Sequence, residues 1–298
     1  MNTWQLDAKE TLAKGFARLM RAAVENAARE FSRTGEELDA GVHEGRKWLK
    51  KARALLKLCR AALEKEQYRA WNRKLRDAGR AVSAVRDDAA LCETAERLLA
   101  RDDLSPAARR TLEALRDGIA ADDRDEARKC AALAVRRLKR LLAETDFSLR
   151  IPSSKEEGVL KRGLKRSLKG AQEACRASWP QDDTAGLHES RKRVKDLRYQ
   201  AELLAGCWPG PVTALAEELH RLTDMLGCVL ELSALRGMIS GRALSRKIAS
   251  EALTSKIDAL FLRTRIQMIE PGPTASRFAM CWALWRAEAR AGRAADHG

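Results

Sequence analysis

The residues best suited to chemistry stand in two rows. His43, Arg46, Lys50 and Arg53 follow one another at steps of three or four, with Lys47 beside Arg46 and Lys57 beyond them, and His188, Arg191, Lys192, Lys195 and Arg198 repeat the pattern. Such steps put side chains along one face of an α-helix, and the stretch from His43 to Arg53 is about 15 Å long at the helical rise. Like charges at these separations repel and disfavour an isolated helix. A linear polyanion laid along the row removes that repulsion. Arg and Lys give charge-assisted hydrogen bonds to phosphate oxygens. Each histidine heads its row, where an imidazole can donate to the same anion and gains a charge on protonation.

Two further basic runs precede these rows, Lys14, Arg18 and Arg21 in the first case and Lys161, Arg162, Lys165, Arg166 and Lys169 in the second. The second run is the densest in the chain. The whole sequence carries a formal charge of +15 over 298 residues, an excess that opposes compaction and that a polyanionic partner explains.

Catalytic readings find less support. The position four residues after each histidine is Lys47 or Lys192, so neither His-Glu pair is a zinc-protease motif, and no phosphate-cradling glycine loop occurs. Asp87-Asp88 and Asp122-Asp123 read as ordinary loop and helix-end acids. Seven cysteines are spread through the chain without a Cys-x-x-Cys pair or Cys/His cluster, as expected of core-facing thiols in a reducing cytosol. Trp48, Trp282 and Trp285 sit at helical core spacings, and Trp179 and Trp208, beside prolines, read as bundle-end plugs. These aromatics give little platform for stacking bases. No apolar run reaches the ~20 residues of a membrane span, and Asp7 and Glu10 stand where a signal peptide would be basic and then apolar. The expectation is a cytoplasmic, non-catalytic protein with no cofactor, no metal and no membrane association.

The elements that must position these rows are helices. Only 18 Gly and 7 Pro punctuate the chain, while Ala, Leu, Arg, Lys and Glu dominate it, which predicts an all-α fold. Helices are predicted near 5–32, 36–64, 67–100 and 106–146, the last interrupted around Gly118–Asp123. A second set is predicted near 155–178, 183–206, 212–240 and 242–292, broken at Pro271. Val42-His43-Glu44-Gly45-Arg46-Lys47 is answered by Leu187-His188-Glu189-Ser190-Arg191-Lys192, and Leu12, Lys14, Gly15 and Arg18 align with Leu160, Arg162, Gly163 and Arg166 at nearly the same offset. This predicts an internal duplication, with one four-helix repeat over 1–150 and a second over 151–298, divided near Ile151-Pro152-Ser153-Ser154. Beside each cationic row runs an apolar seam facing the bundle interior: Val42, Leu49, Ala52, Leu56, Cys59 and Leu63 in the first, Leu187, Val194, Leu197, Ala201 and Leu204 in the second.

A helix reading His-x-x-Arg with basic residues about seven and ten positions on, present twice in order, resembles the CHAD family, the conserved histidine α-helical domain. The string Lys195-Asp196-Leu197-Arg198-Tyr199-Gln200-Ala201-Glu202 is the closest match, and the basic helix Leu160 to Lys169 fits the same pattern. The resemblance implies two four-helix bundles related by a pseudo-twofold axis, with basic helices lining a central groove or pore. Inorganic polyphosphate is the implied ligand, bound by the four basic runs and Tyr199, and association with polyphosphate granules follows. In the third helix of the second repeat, Leu230-Glu231 stands where the resemblance implies a polar residue followed by Asp. Two other readings use the same residues: a nucleic-acid-binding protein contacting a sugar-phosphate backbone, and a phosphatase or phosphotransferase with His43 or His188 as nucleophile.

Overall fold

The computed structural model describes residues 4–7, 10–101, 104–120, 124–178, 184–206 and 209–242. Among them are nine α-helices and no strand. They are α1 (Leu12–Glu30), α2 (Leu38–Leu58), α3 (Lys65–Ala81), α4 (Ser83–Leu99), α5 (Pro106–Ala120), α6 (Arg124–Glu144), α7 (Glu156–Ser178), α8 (Thr184–Leu204) and α9 (Pro209–Arg242). The all-α class expected from composition is the class observed. The helix expected over 242–292, and Trp179 and Trp208, lie outside the described residues.

Several helix limits differ from the periodicity. Thr11 caps α1, its hydroxyl accepting from the Lys14 amide at 3.3 Å, and the amide of the buried Leu12 donates to the Glu156 carboxylate at 3.0 Å. Glu10 therefore lies outside the helix, and Trp4 and Leu6 reach α8. The helix expected over 67–100 is two helices. Val82 leaves the helical region at φ −111°, ψ 20° and is fully buried, so core packing at one β-branched residue turns the chain where a smooth amphipathic pattern gives no warning. The interruption expected near Gly118–Asp123 falls between α5 and α6 as drawn above.

Three apolar cores result. α1, α2, α3 and α6 enclose the largest, built on Phe16, Leu19, Leu55, Leu75 and Leu138, with Trp71 stacked on Phe16 and meeting Phe147 edge-on at 5.3 Å. α7, α8 and α9 share a second through Val194, Leu197, Leu226 and Val229. The α4–α5 hairpin packs through Leu112 and Leu115 onto Leu232 and Leu235 of α9, making the third. α7 crosses the end of α2 at Gly163, where a Cβ would lie 2.1 Å from the Leu58 carbonyl oxygen. Only the absence of a side chain permits that approach.

A candidate polyanion cleft

The seam on α2 buries Val42, Leu49, Ala52 and Leu56, and that on α8 buries Leu187, Val194, Leu197 and Ala201. Because each cationic row sits next to its seam, burying the seams fixes the direction of the cations. The two helices then meet directly. The buried Gln200 amide donates to the Ala54 carbonyl at 3.0 Å, Lys57 pairs with Asp196, and Lys51 lies 3.5 Å from Glu202.

Along one side of this contact opens a cleft of about 550 Å³. α2 lines it with Lys50, Arg53 and Lys57, and α8 with His188, Arg191, Lys192, Lys195 and Tyr199. Six Lys and Arg side chains thus face two carboxylates, Glu189 and Asp196. Both acids are engaged: Asp196 with Lys57, and Glu189 with Lys192 at 2.8 Å and with Arg193 at 2.6 Å. No carboxylate of the described residues lies within ion-pair distance of Lys195. Burial, with Lys50, Arg191 and Arg198 nearby and Asp224 opposing them weakly, pushes its ammonium down to about 7. Burial also lowers Arg53 and Lys57 and pushes the Tyr199 hydroxyl up to about 12. Such a site holds positive charge at a disadvantage until an anion enters.

The cations are aimed by groups from other helices. Asn72 of α3 accepts from Arg53 Nε at 3.0 Å. Arg191 Nε donates to the Thr223 carbonyl of α9 at 3.3 Å, and its guanidinium lies where a Cβ on Gly227 would sit, 2.5 Å from Nη2. Glu231 approaches Arg191 at 3.8 Å and accepts from Arg97 of α4 at 2.7 Å, so the position that departs from the expected pattern joins α4, α8 and α9.

The other residues singled out in the sequence stand elsewhere. His43, Arg46 and Lys47 are on α2 beyond the cleft lining: Lys47 pairs with Glu44 at 2.9 Å, His43 lies 4.0 Å from the same carboxylate, and Arg46 donates to the Val82 carbonyl at 3.3 Å. Arg198 pairs with Glu202 at 2.7 Å and lies over the Tyr199 ring. Lys14 and Arg21 of α1 are exposed, and Arg18 is held by Glu10. On α7, Lys161, Arg162, Lys165, Arg166 and Lys169 are all exposed, and none lines the cleft. Arg193 of α8 faces α7 at Gly170. Two residues on, Lys195 is about 200° further round the helix, so Arg193 and Lys195 leave α8 on different sides.

Sequence reasoning passed over Asn72, Thr223, Gly227 and the role of Glu231. No local pattern marks them, since each acts on an arginine of another helix.

The profile of the CHAD domain matches residues 17–240. The chain belongs to the CHAD domain family. That family is linked in general to polyphosphate binding. The crystal structure of the CHAD domain from the plant Ricinus communis is similar to this CHAD chain at a TM-score of 0.57 and 20% identity, covering 95% of each chain. At that identity the likeness concerns the fold. No curated protein sequence matches the chain. Among the described residues, no helix is long and apolar enough to cross a membrane, and no cluster of His, Cys, Asp and Glu is spaced to hold a metal ion.

Proposed function

We propose that this CHAD domain binds inorganic polyphosphate in the cleft between α2 and α8, without turning it over, and that it associates through it with cytoplasmic polyphosphate granules. The observation that carries the reading is the charge balance: six cations and two committed carboxylates surround one cavity, with Lys195 half-buried among them. A chain of phosphates supplies the missing negative charge at closely repeated intervals. It accepts hydrogen bonds from Arg53, Arg191 and Lys195 without requiring room for bases or sugars. Release of condensed counterions adds to affinity and makes it salt-dependent. His188, exposed at the cleft, is placed to donate to a phosphate oxygen and serves here as a contact, not as a nucleophile.

Competition of labelled polyphosphate against duplex DNA, single-stranded RNA and ATP tests the reading. Polyphosphate is expected to win at matched charge, with affinity rising with chain length until the cleft is filled. Equal competition by duplex DNA would replace it with the nucleic-acid reading. Phosphate release during incubation with polyphosphate would restore the phosphatase reading.

A further inference from the structure

The segment before α1 does not trail into solvent. Trp4 is 1% exposed. Its indole Nε1 donates to the Tyr199 carbonyl of α8 at 3.3 Å, and its ring meets Trp48 of α2 edge-on at 6.1 Å. Leu6 donates its amide to the Leu203 carbonyl at 3.1 Å, filling one of the acceptors that the last turn of a helix leaves unused. Between the helices, the Lys51 ammonium sits 5.0 Å from the Trp48 ring and 5.6 Å from that of Trp4. One segment therefore touches both walls of the cleft, and Tyr199, whose carbonyl it grips, is itself a lining residue.

The other end is fastened to α1. Arg18 Nη2 donates to the Gln5 carbonyl at 3.0 Å, and its Nε donates to Glu10 Oε2 at 3.0 Å. Glu10 turns its second oxygen to the Asp7 amide at 2.9 Å. Arg18 holds the Glu10 carboxyl below its usual range, and Glu10 raises the Arg18 guanidinium in return. The sequence pattern groups Arg18 with the polyanion ligands, but its donors are directed at the segment in front of its own helix.

We propose that the described residues 4–7 form a strap that sets the spacing of α2 and α8, and that Arg18 and Glu10 are its latch, acting on ligand binding only through the width of the cleft. The proposal rests on the cleft being the polyphosphate site. Trp4 and Arg18 are then positioning residues that touch no phosphate.

Opposed substitutions on the two sides of the latch distinguish this from direct contact. Breaking it from either side removes the same fastening, so Glu10→Gln and Arg18→Gln are each expected to weaken polyphosphate binding by about three- to tenfold, and the double variant by no more than either alone. Were Arg18 a ligand, Glu10→Gln would free it and tighten binding while Arg18→Gln weakened it. That opposite pair of shifts, or binding unchanged in both, overturns the latch. Trp4→Phe keeps the ring packing and removes the indole donor, and it should weaken binding in the same direction. Hydrogen exchange on the full chain gives a readout apart from affinity: polyphosphate should slow the Leu6 amide in the parent protein and much less in Glu10→Gln. Lys195→Gln, measured alongside, checks the site itself. Unchanged affinity there overturns the cleft reading, and with it the strap's link to binding.

Discussion

α7 and α8 carry the same kinds of residue at the same spacings and end in different electrostatic situations. On α7, five cations from Lys161 to Lys169 stand exposed, where water and salt screen each charge. On α8, Arg191 and Lys195 are half-buried against α9 and α2, and Lys195 titrates at about 7 under burial and its cationic neighbours. The run that looks strongest on paper is the more dispersed surface. The sparser one is the anion site proposed above, because a buried excess of charge gains most from a counter-charge.

The largest expected difference between the two helices is in binding. Arg191→Gln with Lys195→Gln should weaken polyphosphate by about a hundredfold or more, since a hydrogen bond to a charged group contributes about 1.5–3 kcal/mol. Titration calorimetry reads this directly. A loss below tenfold would erase the contrast with α7.

On the proposed reading, α7 contributes packing. Gly163→Ala forces a methyl onto the Leu58 carbonyl and should lower stability by about 1–3 kcal/mol. Thermal unfolding would register it as a lower Tm, with affinity per folded molecule nearly unchanged.

The pH dependence sharpens the comparison further. Lys195 titrates at about 7 in the free protein. A bound anion reverses the field of Lys50, Arg191 and Arg198 and raises that value, so binding takes up a proton above pH 7. Affinity should therefore fall as pH rises from 7 towards 9, by up to about tenfold per unit, and level off below 7 once both states are protonated. Lys195→Arg keeps its charge throughout and should flatten the curve. A parent protein with pH-independent affinity over this range would remove Lys195 from the site.

The smallest effect belongs to the exposed run. Lys165→Gln with Arg166→Gln should change affinity for short polyphosphate by less than about threefold, as exposed charges distant from a ligand do. A loss matching that of the α8 pair would place the ligand on the α7 run instead.

The all-α class, the seams and the cationic rows were legible in the sequence, because a helix repeats every 3.6 residues and fixes which side chains share a face. Lys50, Arg53, His188, Arg191, Lys192 and Lys195 were marked by that rule alone. Which rows would meet was not, and of the four basic runs the one from Lys161 to Lys169 looked the strongest. Tertiary structure placed α2 beside α8 and left the α7 run exposed, through contacts such as Gln200 to Ala54 and Gly163 to Leu58. It also ended α3 at the buried Val82 and drew Trp4 onto Tyr199. These outcomes depend on residues far apart in the chain, whose partnership leaves no periodic trace. Periodicity decides the face of a helix, and only packing decides what that face meets.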